Sequence, residues 1–242
     1  MFVYVRDAKC KIGLTGRIDV SVPAGGGYRD PVTAYAAVVL AGGAARRMGG
    51  RDKPALPVGG VPMRERVLAA VADAAPRILV GPGPAPEGVR LTRETPPGGG
   101  PVAAVAAGLA LLDADVPAVA LLAADLPLLT RPAVAELLRH LAGPPGVDYP
   151  SGVDGRAGVD GACYVDRSGR RQTLCGVWRP AALRTALDRV SRRRAGELAG
   201  VPLRELLAGL AVREVAWSGD GPPPWFDCDT ERDVRRAEEW AR

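Results

Sequence analysis

Histidine is almost missing from this chain: His140 is the only one in 242 residues. A Ser-His-Asp or Cys-His triad and a multi-histidine metal site therefore lack material. The four cysteines, Cys10, Cys163, Cys175 and Cys228, form no C-x-x-C pair, which argues against a zinc knuckle or a disulfide framework and leaves buried thiols as the expectation. Aromatic residues make up only 5% of the chain, too few to interleave with its basic residues as a stacking surface for nucleic acid. No window holds the roughly eighteen consecutive apolar residues of a membrane-spanning helix, and the first residues lack the pattern of a signal peptide. A cytoplasmic protein with no membrane partner and no nucleic-acid partner is expected. Lysine is scarce as well, with Lys9, Lys11 and Lys53 the only three, so Lys53 is the one lysine past residue 11 among many arginines.

What is present fits one large α/β domain, with 47% hydrophobic and 24% charged residues. The net charge of +5 is spread along the sequence. Only Arg192 to Arg194 cluster tightly, and a solvated helix face accounts for them.

Residues 1–34 stand apart, with two of the three lysines, the run Gly25-Gly26-Gly27 and no periodicity that ties them to a core. They are expected to be an extension, either a flexible tail or a misassigned start, ahead of a domain over 35–242. From Tyr35 onward short apolar runs alternate with helical stretches. Strands are expected at 36–40, 77–81, 89–93, 117–124, 161–165, 172–178 and 212–216, with a last one just before Asp227. Helices are expected at 62–75, 101–112, 130–141, 180–190, 202–209 and 230–241. Thr130 and Pro132 mark the start of the third helix as cap and early proline. The alternation predicts a mostly parallel sheet wrapped by helices, a three-layer, Rossmann-like αβα sandwich.

The most informative stretch runs from Val38 through Leu40, Ala41, Gly42, Gly43, Arg46, Arg47, Met48, Gly49 and Gly50 to Lys53, an apolar strand leading straight into a glycine-rich loop. Such a loop lets backbone N–H groups approach phosphate oxygens, while Arg46 or Arg47 and Lys53 neutralise their charge. It matches neither the G-x-x-x-x-G-K-[ST] P-loop nor the G-x-G-x-x-G dinucleotide fingerprint. A second motif, Leu121-Leu-Ala-Ala-Asp-Leu-Pro, puts Asp125 at the carboxyl end of an apolar strand, where open α/β sheets bind ligands. Thr130 already caps the next helix, so Asp125 has no local structural task and suits a metal ion. In the third motif, Phe226-Asp-Cys-Asp-Thr, either Asp227 or Asp229 precedes a helix and either is a candidate carboxylate or a cap.

Together these strings resemble the nucleotidyltransferases typified by molybdenum cofactor guanylyltransferase, whose loop reads L-A-G-G-x-x-x-R-M-G before its lysine. The resemblance runs over roughly residues 36–241. It implies a nucleotide-diphospho-sugar transferase-like fold and a nucleoside triphosphate held by Leu40, Ala41, Gly42, Gly43, Lys53, Glu94 and Asp125. It also implies catalytic roles for Arg47, Lys53 and Asp125, and Mg²⁺ on Asp125 and Asp229, with Asp229 preferred over Asp227 because it directly precedes the threonine. By the same resemblance Glu94, in Arg93-Glu-Thr-Pro-Pro-Gly-Gly-Gly-Pro, contacts the base; its alternative is plain surface charge. The implied substrates are GTP and molybdopterin carrying molybdenum, in a monomer or weak homo-oligomer. A CTP-dependent enzyme of the same fold and a non-catalytic nucleotide-binding regulator stay open as alternatives. Gln172-Thr173 stands where relatives show H-P-T, a departure at a position that faces the second substrate.

Overall fold

The computed structural model describes residues 34–42, 52–143 and 158–241. The expected extension apart from Ala34, and the loop residues Gly43, Arg46, Arg47, Met48, Gly49 and Gly50, lie outside the described residues.

Strand β1 (Ala36–Leu40) is buried at every position. A run of small and branched apolar residues with no polar face can only be satisfied between two layers of helices, as in a parallel sheet. Its register shows this: Val38 lies beside Ile78 of β4 (Arg77–Val80) on one side and Leu121 of β6 (Val119–Ala123) on the other, both parallel. The remaining strands of this sheet are β5 (Val89–Thr92), β7 (Gly161–Val165), β8 (Arg171–Trp178) and β9 (Val212–Ala216). They complete seven in the order β5-β4-β1-β6-β8-β7-β9. Only β8 runs against the others.

Alternate residues of β1 feed opposite cores, as the two-residue period of a strand demands. Ala37 and Val39 pack with Val67 and Leu68 of α1 (Met63–Ala70) and Leu137 of α3 (Arg131–Ala142). Ala36 and Val38 pack with Val102 and Val105 of α2 (Pro101–Leu109) and Ala182 of α4 (Pro180–Arg193), with Leu206 of the short α5 (Leu203–Leu206) behind them. The result is three layers with the sheet in the middle. Contact between α2 and the sheet is close enough that a Cβ at Gly108 would lie 2.5 Å from Val38 Cγ1. Any side chain there would lift the helix off β1.

Helix α3 starts as its sequence predicts, with Thr130 Oγ1 accepting from Ala133 N and a proline in the first turn. Arginines on α4 end its neighbours. Arg184 donates to the carbonyls of Leu109, the last residue of α2, and of Leu112 beyond it, and Arg189 to those of Leu206, the last of α5, and of Ala208 beyond it. Arg194 pairs with Glu205, while Arg192 and Arg193 face solvent, so the basic run is a helix face rather than a binding patch.

Several sequence expectations need correction: the helices expected over 101–112 and 202–209 end at Leu109 and Leu206. The helix expected over 62–75 stops as an α-helix at Ala70. The strand expected before Asp227 does not form. Pro222, Pro223 and Pro224 have no N–H to give to a ladder, and Trp225 and Phe226 that follow pack as side chains instead. A small antiparallel hairpin, β2 (Pro57–Val58) and β3 (Val61–Pro62), is an addition to the expected elements; its two prolines and Gly59-Gly60 turn read as loop. Helix α6 (Glu231–Trp240) closes the described chain. Among the described residues no helix is long and apolar enough to cross a membrane.

Candidate active site

The order of strands decides where a ligand fits. The chain moves outward from β1 through β4 to β5, then returns to the other side of β1 as β6. Between β1 and β6 the connections therefore leave in opposite directions and open a crevice at the carboxyl ends of the strands. Leu40 is in register with Ala123, so Gly42 after β1 and Asp125 after β6 flank that crevice.

Lys53, Asp125 and Asp229 meet there. Lys53 Nζ donates to Asp125 Oδ2 at 2.5 Å and to Asp229 Oδ1 at 2.6 Å. Lys53 and Asp125 are 19% and 20% exposed while Asp229 is 48% exposed, so the cluster opens to solvent on the Asp229 side. Desolvation pulls the ammonium toward losing its proton, but the attraction of Asp125, with the hydrogen bonds to both carboxylates, outweighs it and holds Lys53 above the ordinary lysine value. Lys53 is thus a fixed positive charge.

Three distant stretches are brought together by a small hydrophobic core of their own. Leu56 and Val58 follow Lys53, Leu128 follows Asp125, and Phe226 and Cys228 bracket Asp227; all pack together with Met63 and Ala237. Two polar ties reinforce it. Cys228 N donates to the Asp125 carbonyl at 3.3 Å. Arg66 of α1 donates from Nε to the Pro127 carbonyl at 2.8 Å and from its guanidinium to the Val58 carbonyl at 3.3 Å, joining the segments that carry Asp125 and Lys53. Beside it, Arg64 pairs with Asp52, next to Lys53, at 3.1 Å. Sequence reasoning does not single out Arg66 or Cys228 as site residues. Their contacts are made across long stretches of chain and leave no local pattern to read.

The helix cap removes the capping alternative for both aspartates of the third motif. Thr230 caps α6 in a reciprocal box with Asp233, so neither aspartate is needed as a cap. Asp229 turns to Lys53. Asp227 is exposed at the mouth, and its carboxyl is pushed above the ordinary aspartate value by partial loss of water first, then by Asp229 and Asp125. The buried Cys228 between them has its thiol pushed up to about 12 by burial, which makes it a packing residue rather than a nucleophile. Cys163 and Cys175 are buried and raised in the same way.

Glu94 is 8% exposed, which removes the surface-charge alternative. Its Oε1 accepts from Gly98 N at 3.0 Å, and a Cβ built on Gly42 would stand 3.5 Å from that oxygen. The carboxylate therefore borders the backbone of the glycine loop, where Gly42 is exposed. Gly81 presses on the same turn from β4, its missing Cβ leaving room for the Ala41 carbonyl carbon at 2.9 Å. Leu40 and Ala41 themselves are buried, the Leu40 carbonyl accepting from Ala124 N and Ala41 N donating to the Val80 carbonyl. The Ala41 N–H and the Leu40 carbonyl are thus both engaged in the sheet. Gly43 and Arg47 fall outside the described residues.

Gln172, the second residue of β8, donates to Asp166 and to the Arg170 carbonyl within the β7–β8 turn. Cys175 and Trp178 farther along that strand are core, as their composition predicts.

Two hard carboxylate oxygens converging on one cationic centre suit Mg²⁺, which takes one or two protein carboxylates and completes its shell with phosphate and water. Among the described residues no three His, Cys, Asp or Glu side chains form an all-protein cage.

A sheet with this strand order, with Gly42 leaving its first strand and a lysine and two carboxylates across the crevice, makes an α/β fold with a charged cleft at the carboxyl edge. Residues 37–212 match the MobA-like NTP transferase domain, and the chain belongs to that family of nucleotidyltransferases. No curated protein matches it. Solved structures are similar in fold. 2-C-methyl-D-erythritol 4-phosphate cytidylyltransferase from Thermus thermophilus is 23% identical with a TM-score of 0.58, covering 86% of this chain and 99% of that one. Molybdopterin-guanine dinucleotide biosynthesis protein A from Archaeoglobus fulgidus is 20% identical with a TM-score of 0.57, covering 84% and 96%. 4-diphosphocytidyl-2C-methyl-D-erythritol synthase from Anaerococcus prevotii is 13% identical with a TM-score of 0.57, covering 87% and 99%.

Proposed function

We propose that this nucleotidyltransferase moves GMP from GTP to the phosphate of molybdopterin carrying molybdenum, releasing pyrophosphate and forming the guanine dinucleotide. The reading rests on one observation, the meeting of Lys53 with Asp125 and Asp229 beside the Gly42 turn at the carboxyl edge of the sheet. The choice of guanine and of molybdopterin is supported by the loop's resemblance to the guanylyltransferases.

In this reading an oxygen of the acceptor phosphate attacks the α-phosphorus of the nucleotide, and the bond from that phosphorus to the β-phosphate oxygen breaks. The acceptor phosphate is already largely ionised at neutral pH, so no general base is needed and the shortage of histidine is no obstacle. Asp125 and Asp229 hold Mg²⁺, which when bound offsets negative charge on the phosphates. Lys53 lends its ammonium to the charge that gathers on the departing pyrophosphate, with Arg47 assigned the same task from the loop. The buried Glu94 accepts hydrogen bonds from the base, its position being set by Gly98.

The test is incubation of the protein with each of the four labelled triphosphates, Mg²⁺ and molybdopterin, following pyrophosphate and dinucleotide. GTP-dependent formation of the dinucleotide is expected. Turnover with CTP in place of GTP would move the assignment to a cytidylyltransferase, and nucleotide binding without turnover on any phosphorylated acceptor would leave a regulator.

A further inference from the structure

The two carboxylates assigned to the metal are also the two that Lys53 grips. Its Nζ, with three N–H groups to give, directs two of them to Asp125 Oδ2 and Asp229 Oδ1 at 2.5 and 2.6 Å. Mg²⁺ takes such oxygens at about 2.0–2.1 Å and accepts little departure from octahedral geometry. Nζ bonds both oxygens at once, so it stands where a metal ion bridging the same two carboxylates would stand. With Lys53 in place, an arriving bare metal ion meets carboxylates already neutralised and a like charge within contact distance.

We infer that in the nucleotide-free protein Lys53 occupies the cation position between Asp125 and Asp229, so the metal is loaded only together with a nucleoside triphosphate. This rests on the nucleotidyl-transfer reading above. The triphosphate supplies what a bare ion lacks, an alternative anion for the ammonium. The carboxylates are not the moving part, because their segments are tied backbone to backbone by Cys228 N and the Asp125 carbonyl. Lys53 is. It stands at the start of the short 3-10 turn Lys53–Ala55, and its four-carbon stem lets Nζ swing from the carboxylates to phosphate oxygens while Pro54 and the packed Leu56 stay still. An arginine, planar and with five fixed donors, would clamp the two carboxylates and release them poorly. That explains why a chain that otherwise uses arginine past residue 11 has a lysine here.

Mn²⁺ binding to the full chain, read by electron paramagnetic resonance without acceptor, tests the inference. Wild type is expected to bind Mn²⁺ alone at least about tenfold more weakly than Lys53→Met does, and to recover tight binding when GTP or another accepted triphosphate is added. The gain in Lys53→Met is expected to vanish when Asp125→Asn is added. Wild type binding Mn²⁺ alone as tightly as with nucleotide overturns the inference without reference to any variant. So does a Lys53→Met protein of native circular dichroism with no gain, or a gain that survives Asp125→Asn. If no triphosphate binds wild type with or without Mn²⁺, the nucleotidyl-transfer reading itself falls; if triphosphates bind and bare Mn²⁺ binds equally well, only the loading order does.

Discussion

Lys53 and Asp229 meet at 2.6 Å although 176 positions separate them in the chain, and Asp125 joins them from the middle of it. A surface pair of this kind contributes little to stability, because water and salt screen it and the long side chain loses freedom. Here a small hydrophobic core of its own holds the segments that carry the pair together.

Replacing either central residue should therefore stop the reaction before it harms the fold. Lys53→Ala and Asp125→Ala are each expected to lower turnover about a hundredfold or more, as loss of one preorganised charge commonly does. Pyrophosphate release measures this, with thermal denaturation of the same samples as control. Turnover near the wild-type rate in either variant would remove both residues from the mechanism.

Arg66 carries a different prediction. Its guanidinium holds the carbonyls of Pro127 and Val58, one beyond Asp125 and one beyond Lys53. Arg66→Ala leaves two carbonyls to find water and loosens the spacing of the pair. Charge-assisted hydrogen bonds of this sort are worth about 2 kcal/mol, which for a domain of this size is a drop in Tm of about 4–8 °C. If Arg66 only stabilises, the turnover number at low temperature will be unchanged. If it positions the pair, the turnover number falls while KM for the nucleotide moves less.

Much of this arrangement is legible in the sequence, and the reasons are local. Parallel strands buried on both faces read as apolar runs, so β1, β4 and β6 are visible, and Asp125 stands out because Thr130 has already taken the cap. Asp229 is half legible, since only the box between Thr230 and Asp233 shows that no aspartate is needed at the helix start. Prolines mislead in both directions. Those at 57 and 62 conceal the hairpin, and those at 222–224 rule out the strand expected before Asp227. Burial of Glu94 and the tie through Arg66 depend on contacts between elements, and no window of sequence contains them.

Glu94 leads to a prediction about selectivity. The buried Glu94 carboxylate beside Gly42, held by Gly98 N at Oε1, is placed to accept hydrogen bonds from a base bound at the turn. Glu94→Gln keeps the shape and removes the charge. Competition among the four triphosphates should show discrimination falling about 10–100-fold, the worth of one or two hydrogen bonds to the base, with triphosphate affinity less affected. Equal loss for every base would assign Glu94 to the loop's structure instead.

Asp227 offers a test by pH. Its carboxyl is raised above the ordinary value by lost water and by Asp229 and Asp125, so ionising it costs more in the folded than in the unfolded chain. The sign follows: folding is undisturbed while Asp227 is protonated in both states, and stability is lost as pH rises from the unfolded pKa through the higher folded one. Asp227→Asn should then raise Tm of the nucleotide-free protein at pH 7. Because the side chain is exposed, the gain is small, about 1–2 °C. It should disappear below the ordinary aspartate pKa, where both proteins carry a neutral side chain at 227. A gain that persists there would point to packing, and a loss at pH 7 would show that Lys53 attracts Asp227 more strongly than Asp125 and Asp229 repel it.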